Sequence, residues 1–552
     1  MAQSTQGESI LTRRRFLHLG LAGAAVSLLS ACGGAQTPVT PTKAPAPQAP
    51  PATAPATPPT VAPAAVAPTA ARPQPKRGGV FTAAHQQAIT DFNGVNYAGA
   101  QYPIIRALYD TPVRLDDNLD PKPELAQSWQ LSSDGSELTL NLRPNVKFHS
   151  GREMTSEDIK ATWEFAKQSS PQLKGLFSLV KAVSTPEKLV AKLAFDKPCP
   201  LVFDILDSLS IHDTTVMDNL NQEDAGCGPF TVASYQPRSE IRMKRFDGYW
   251  QQGKPYVDEY VLKDIPDPAA LVLNVESKAI DAAERPPLNE VARLKGQAKM
   301  VADPGPPAPL VMHLGANVER GPLANKVVRQ AINFAIDRER VVKTVFNGMA
   351  EQTCLMWPKG SWAYFADLEG KYKYDLEKAK ALLAQAGFAS GFQTTILTSR
   401  AQKASLFGLA QIVQGDLAKI GIKAEIKDVE STVYVTRLRK GDFDLCTQFY
   451  GQASRDPGTM LSGALAWYPK SEGGPYMFES ANFKAWRDEA VTTVDREKRK
   501  TLYRKIQEWV LEESFSMAVT GEQTFWLYWD YVKDVWYSRE GSPIVADLWL
   551  DK

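Results

Sequence analysis

The sequence predicts an α/β protein, and three observations point there. Short runs alternate apolar and polar residues as half-buried strands do, longer runs carry one apolar helical face, and glycine punctuates the change from one to the other. Glu137–Arg143 (ELTLNLR) alternates Leu138, Leu140 and Leu142, a strand with one buried face. Thr155 followed by Asp158 opens TSEDIKATWEFAK as a helix with a capping-box-like start. In YDLEKAKALLAQAGF a helix starts at Asp375, sets Ala379, Leu382, Leu383 and Ala386 on one face and stops at Gly387. LFGLAQIVQGDLAKIGIKAEIKDV reads as helix, then Gly421, then a strand alternating Ile422, Ala424 and Ile426. TLYRKIQEWVLEE is a further amphipathic helix, and no internal repeat is present.

Two segments precede this pattern. TRRRFLHLGLAGAAVSLLSACGG has an apolar run of about fifteen residues, short of the roughly 20 that a spanning helix needs. Positive flank, short apolar core and small residues in that order predict a signal peptide over residues 1–31. Arg13 and Arg14 resemble the twin-arginine export signal, and Leu29-Ser30-Ala31-Cys32 resembles a lipobox, which would place a lipid on Cys32. Residues 32–75 then form an Ala/Pro/Thr-rich linker. The stretch from Gln36 to Pro75 holds 13 of the 39 prolines, too few large apolar groups to bury a core, and a chain that extends at about 3.1 Å per residue. It is a tether, and the globular part is expected to begin near Lys76.

Composition excludes several functions. The 552 residues carry a formal charge of +1, with 43% hydrophobic and 23% charged residues. Removing residues 1–31 takes three Arg and one Glu and leaves a charge of about −1, so no nucleic-acid surface is expected. Cys199, Cys227, Cys354 and Cys446 are scattered without a C-x-x-C pair. Export permits disulfides, and Cys199–Cys227 would close the shortest loop; buried thiols are the alternative. No G-x-S-x-G, H-E-x-x-H, P-loop or G-x-G-x-x-G motif occurs, and His85, His149, His212 and His313 lie far apart. No catalytic residue, metal site or cofactor is therefore assigned, and a secreted lipoprotein hydrolase is the runner-up of a different class.

Pro123–Ile159 (PELAQSWQLSSDGSELTLNLRPNVKFHSGREMTSEDI) resembles the signature block of the family 5 bacterial extracellular solute-binding proteins, the receptors of peptide, nickel and some sugar ABC importers. The matching residues are Ser128-Trp129, Asp134-Gly135, Leu142-Arg143 and Phe148-His149-x-Gly151. Further blocks follow in family order: GCGPF (Gly226–Phe230, with Cys227 where relatives carry Thr), RFDGYWQQGKPYVDEYVL, SKAID, NKVVRQAINFAIDRERVVKTVFNGMA, LAKIGIKAEI, GDFDL (Gly441–Leu445) and RDPG (Arg455–Gly458). These residues read as fold-bearing, His149 included.

The resemblance implies a two-lobed periplasmic-binding-protein type II fold with an extra subdomain in the first lobe and a hinge between the lobes. The first lobe would take residues 76–105, 206–305 and 523–552, the subdomain 106–205 and the second lobe 306–522. It further implies a monomeric solute receptor that closes on a peptide or other small polar solute and delivers it to an ABC permease, held at the outer face of the membrane by its lipid. In peptide-binding relatives an acidic residue stands three positions before the Asp-Pro pair; here Asp456-Pro457 is preceded at that distance by Ala453, so the usual ammonium anchor is missing. Arg400 stands where some dipeptide binders hold the ligand carboxylate. Tyr450, Gln452 and Trp467 flank the same loop and suit a sugar or another neutral polar solute. Tyr97 and Gln101 lie in a loop that faces the cleft in relatives, and His85, ending the first strand, leaves a metal chelate open.

Overall fold

A computed structural model describes residues 74–95, 101–170, 174–220, 223–306, 310–451, 453 and 455–552. Arg13, Arg14, Cys32, the expected leader and nearly all of the tether lie outside them. The chain enters through strand β1 (Val80–His85), whose side chains alternate between two cores: Phe81 and Ala83 face one, Ala84 the other. Helix α1 (Tyr102–Leu108) follows. A ribbon of β2 (Val113–Leu115) and β3 (Pro121–Pro123) leads into an antiparallel sheet of β4 (Ala126–Leu131), β5 (Glu137–Leu142), β6 (Ala182–Glu187) and β7 (Val190–Ala194), ordered β4-β5-β7-β6. Helices α2 (Ser156–Ser169) and α3 (Lys174–Phe177) accompany it, and α4 (Val202–Ser208) leads back.

Strands β8 (Phe230–Gln236), β9 (Glu240–Arg245), β10 (Glu259–Asp264), β11 (Ala282–Glu284) and β12 (Met300–Asp303) join β1, with helices α5 (Pro268–Glu276) and α6 (Leu288–Leu294) between them. A second sheet contains β13 (Leu310–Ala316), β14 (Ala350–Gln352), β15 (Gln393–Thr398), β16 (Lys423–Asp428), β17 (Leu445–Tyr450) and β18 (Ser516–Glu522). Its helices are α7 (Lys326–Ala335), α8 (Arg338–Val345), α9 (Leu376–Gln385), α10 (Ala404–Ala418), α11 (Ser431–Arg439), α12 (Pro457–Gly463), α13 (Ala481–Ala490) and α14 (Arg496–Glu513). The chain then returns through β19 (Trp526–Trp529) to the first sheet, and β20 (Val532–Lys533) pairs with β21 (Trp549–Leu550) near the end. The first sheet runs β12-β19-β11-β1-β10-β9-β8 and the second β14-β18-β13-β17-β15-β16. This is the two-lobed α/β architecture, with an added sheet in the first lobe, that the resemblance implied.

The local readings hold where side-chain chemistry sets them. β5 buries Leu138, Leu140 and Leu142, α2 carries the Thr155/Asp158 capping box, and Asp375 caps α9 through Lys378 N. On α9 only Ala379 and Leu383 are buried, with Leu382 and Ala386 at the margin. The Cys199–Cys227 bridge is not formed: all four described cysteines are buried thiols, and burial pushes Cys199 up to about 12. Cys227 is held between two glycines pressed on the end of α1, whereas Cys199 stands just before α4.

The motif residues explain themselves as joints. A Cβ on Gly226 would lie 1.9 Å from the Leu108 carbonyl oxygen, so only glycine lets this turn pack against α1. Gly228 N donates to the Leu108 carbonyl, and His149 N donates to the Gly226 carbonyl. The His149 ring spans Asp224 Oδ1 at 2.6 Å and the Gly228 carbonyl at 3.0 Å, which is a structural use of both nitrogens. In the second lobe, buried Arg338 donates to the carbonyls of Asn333, Thr353, Tyr372 and Ala518, stitching three segments together. Gly226→Ala is expected to lower stability by about 3 kcal/mol through overpacking, and Arg338→Leu by roughly 3 kcal/mol through orphaned carbonyls. Urea unfolding followed by tryptophan fluorescence measures both.

Candidate functional site

Strand direction gathers strand ends at one edge of each sheet. In the first lobe β10 and β11 both run parallel to β1, so His85, Asp264 and Glu284 end at one edge of the sheet. In the second lobe β15 runs parallel to β16 and β17, so Thr398, Asp428 and Tyr450 end at one edge too. The chain crosses between these edges twice, from Asp303 to Leu310 and from Glu522 to Trp526. Glu284 and Asp303 both oppose Trp526, and Val311 opposes Tyr450. The crossings touch: Gly305, with φ +61, would place a Cβ 3.2 Å from the Thr524 carbonyl oxygen. The carboxyl ends of parallel strands therefore flank the two crossings, and such ends are where open α/β sheets bind ligands.

The second lobe's side of this edge is aromatic. Tyr450 and Trp467 are buried with ring centroids 5.2 Å apart, and His313 lies 4.9 Å from Tyr450. His313 Nε2 meets Tyr476 Oη at 2.6 Å, and burial pushes the imidazole down to about 3, so it is neutral. A cavity of about 220 Å³ opens beside them, lined by Gln448, Phe449, Tyr450, Gly451, Leu465 and Tyr476 among others. Among the described residues, the Tyr450 hydroxyl and the Trp467 indole N–H have no hydrogen-bond partner.

The loop after β17 carries Arg455 into the first lobe. Its guanidinium bonds Glu540 and lies 3.6 Å from Asp204 and 3.7 Å from Asp207. Arg106 on α1 joins from the other side, 3.1 Å from Glu540 and 3.3 Å from Asp207. Asp204 also accepts from Asp456 N and the Thr459 hydroxyl at the start of α12. Burial opposes the charge on Glu540, but Arg106 and Arg455 outweigh it and hold the carboxyl at about 2. Burial pushes Asp204 up to about 6, with Arg455 pulling it down and Asp456 pushing it up. Asp456 itself caps α12 through Gly458 N and pairs with Arg499, which is a structural role.

The residues singled out from the sequence divide accordingly. Tyr450 and Trp467 come together beside the second-lobe cavity, and Ala453 is buried near them in sequence. Gln101 is buried just before α1 and donates to Thr90 Oγ1. Arg400 is 61% exposed, bonds Asp428 and stacks on Phe407, so its charge is engaged within its own lobe. Tyr97 and Gln452 lie outside the described residues. Sequence reasoning missed Arg455, Glu540, Asp204 and Arg106; RDPG marked the first only as a fold block, and no pattern marked Glu540. Among the described residues no three His, Cys, Asp or Glu side chains converge as a metal site would require.

Comparisons with known proteins bear on the family and the fold. The family profile of the bacterial extracellular solute-binding proteins, family 5 (middle region), matches residues 120–472. Heme-binding protein A of Haemophilus influenzae is 27% identical over 423 residues, covering 70% of this chain and 76% of its own. The dipeptide-binding protein of Escherichia coli is 26% identical over 469 residues, covering 78% and 86%. The solved structure of the ABC transporter-associated periplasmic binding protein DppA from Helicobacter pylori, in complex with the peptide STSA, superimposes with a TM-score of 0.71 at 25% identity, covering 86% of this chain and 99% of that one.

The charge cluster sets a pH profile. Glu540 titrates at about 2 in the fold against an ordinary 4.5, so its contribution is full above about 4.5 and is lost as the pH falls toward 2. Asp204 titrates at about 6 against 3.8, so stability rises as the pH falls through that interval. The cluster is expected to place a stability maximum between about pH 4 and 5. Arg455→Met should flatten that maximum and cost about 3 to 5 kcal/mol by leaving buried carboxylates uncompensated. Urea midpoints from pH 3 to 8 measure both effects.

Proposed function

The chain belongs to the family 5 bacterial extracellular solute-binding proteins, and we propose that it is the lipid-anchored receptor of an ABC importer that captures a peptide or another small polar solute by hinge closure. Family membership makes it a solute-binding protein that works outside the cytoplasm, by binding and not by catalysis. The observation that carries the finer reading is the meeting of two parallel-strand edges across two short crossings, with the Arg455 loop bridging them. Two rigid bodies on such a joint move by hinge rotation, and a solute held between the edges favours the closed form.

In this reading the second lobe runs over 306–522 and the hinge lies at 304–309 and 521–523. The subdomain takes 106–205 and the first lobe takes 76–105, 206–305 and 523–552. Export through Arg13 and Arg14 and lipid on Cys32 hold the receptor by the proline tether within reach of its permease. Gln101, Tyr450 and Trp467 would contact solute among the described residues, with Arg400 and Ala453 beside them; Tyr97 and Gln452 remain ligand-binding candidates from the sequence. Named relatives take a dipeptide, heme and a tetrapeptide. Ala453 in place of an acid argues against a peptide held by its ammonium in the usual way, and an oligosaccharide or metal chelate fills the same role.

Mass spectrometry of small molecules released by unfolding the purified protein identifies the solute. Adding that solute is expected to raise stability by about 2.7 kcal/mol at one hundred times its dissociation constant and to shrink the radius of gyration in small-angle scattering. If no compound from panels of peptides, sugars and chelated metals changes either quantity, the receptor reading is wrong. Turnover of a peptide or polymer by the purified protein, abolished by a point change in the cleft, would replace it with the hydrolase reading.

A further inference from the structure

A second cavity lies away from the strand ends. It measures about 180 Å³ and opens between the ribbon and added sheet of the first lobe and the helices of the second. Leu115 of β2, Leu131 at the end of β4 and Phe203 of α4 line one side. Trp362 and, just before α14, Val494 line the other. Among the described residues, none of the strand ends beside the crossings lines it; its link to them is Asp204, which stands in its wall and pairs with Arg455. Leu131 and Val494 are 36% and 50% exposed, so the rim holds apolar surface that the fold does not cover.

The polar groups of this wall are matched in charge but not in hydrogen bonds. Arg499 is 5% exposed, and its Nη2 donates to Asp456 and, at 2.9 Å, to the Tyr503 hydroxyl. Among the described residues its buried Nε donates to nothing. Arg496 donates to the Asn118 carbonyl at 3.2 Å and lies 3.6 Å from Asp120. Both guanidinium carbons lie over the Trp362 ring, 5.0 and 5.1 Å from its centroid. Asp204 is taken by Arg455, Asp456 N and the Thr459 hydroxyl. Each carboxylate in the wall thus has its cation, and the capacity left over is N–H donation from Arg499. A buried donor without a partner is rare in folded proteins and calls for an acceptor.

We propose that this cavity is a second ligand site, separate from the solute cleft, for a small neutral ring compound that carries a carbonyl oxygen. The ring lies among Leu131, Phe203 and Trp362, and the oxygen accepts from Arg499. Volume sets the size: an apolar cavity of roughly 150 Å³ holds benzene, so one of about 180 Å³ takes a single ring with a short substituent. Charge sets the class: a guanidinium only donates, so the ligand must accept, and a charged ligand would stand uncompensated beside pairs already matched. Apolar walls with one placed polar group are the composition of small-molecule sites. Because the walls come from both lobes, an occupant favours the arrangement in which these parts meet. The inference goes beyond the receptor reading and does not depend on it.

The test titrates the purified protein with acetophenone, isopropylbenzene and benzoate, read by saturation-transfer NMR. Isopropylbenzene keeps the shape without the oxygen, and benzoate keeps the oxygen with a charge. Acetophenone is expected to bind about tenfold more tightly than isopropylbenzene, the contribution of one hydrogen bond, and more tightly than benzoate. Val494→Trp fills the cavity from an exposed position and is expected to abolish the acetophenone signal; Leu465→Trp, in the second-lobe cavity, is expected to leave it unchanged. Circular dichroism and melting temperature establish that the variants fold; if V494W does not, Leu131→Trp carries the same comparison. No acetophenone signal at millimolar concentration, equal binding by V494W, or loss of binding in L465W overturns the site. Isopropylbenzene or benzoate bound as tightly as acetophenone overturns it too. Each of these outcomes leaves the receptor reading standing, since that reading rests on the strand ends.

Discussion

A guanidinium from one lobe sits among three carboxylates of the other. Arg455 reaches Glu540, Asp204 and Asp207, and Arg106 backs the same acids from α1. Charges removed from water are tolerated only when their partners are fully in place, so this cluster permits few relative positions of the parts that contribute to it. It ties the loop after β17, the start of α12, helix α4 and the C-terminal segment to one another. The return of the chain through β19 acquires a physical reason here: Glu540 arrives at the cluster from the segment that follows that strand.

Around this contact the two lobes are stiff, and for different reasons. The first lobe is clamped where Gly226 and Gly228 let a turn lie directly on α1 while His149 spans Asp224 and the Gly228 carbonyl. The second is clamped where Arg338 gathers four carbonyls and where Tyr450, His313, Tyr476 and Trp467 meet largely edge-to-face in an aromatic block. Rigid bodies joined by two short crossings move as hinges, because packed cores resist deformation and the crossings absorb the backbone change. The edges differ in kind: the second lobe's is aromatic with an adjoining cavity, and the first lobe's carries His85, Glu284 and Arg285.

The legible part of the sequence was its local grammar. Period-two leucines, the Thr155/Asp158 box and the Asp375 cap each act within a few residues, so they read correctly without any tertiary knowledge. The same holds for RDPG, whose Asp456 caps α12 within its own block. Side chains that act across the fold were illegible. Nothing near Glu540 distinguishes it from a surface glutamate, and Arg400, placed at the cleft by resemblance, spends its charge on Asp428 and its face on Phe407. The Cys199–Cys227 pairing failed for the same reason, since loop length says nothing about where two thiols point.

By itself the sequence determined the α/β alternation, the positions of the principal helices and the family, because periodicity, caps and block order are written along the chain. It also determined that position 453 carries no charge. Only the tertiary structure decided which acids and bases meet. Strand direction brings the ends of β1, β11 and β17 to the edges the crossings join, and the folded chain puts Arg455 among carboxylates numbered 204, 207 and 540. Electrostatic partnership depends on distance in space, its energy falling as the inverse of the separation, and a linear sequence does not carry that distance.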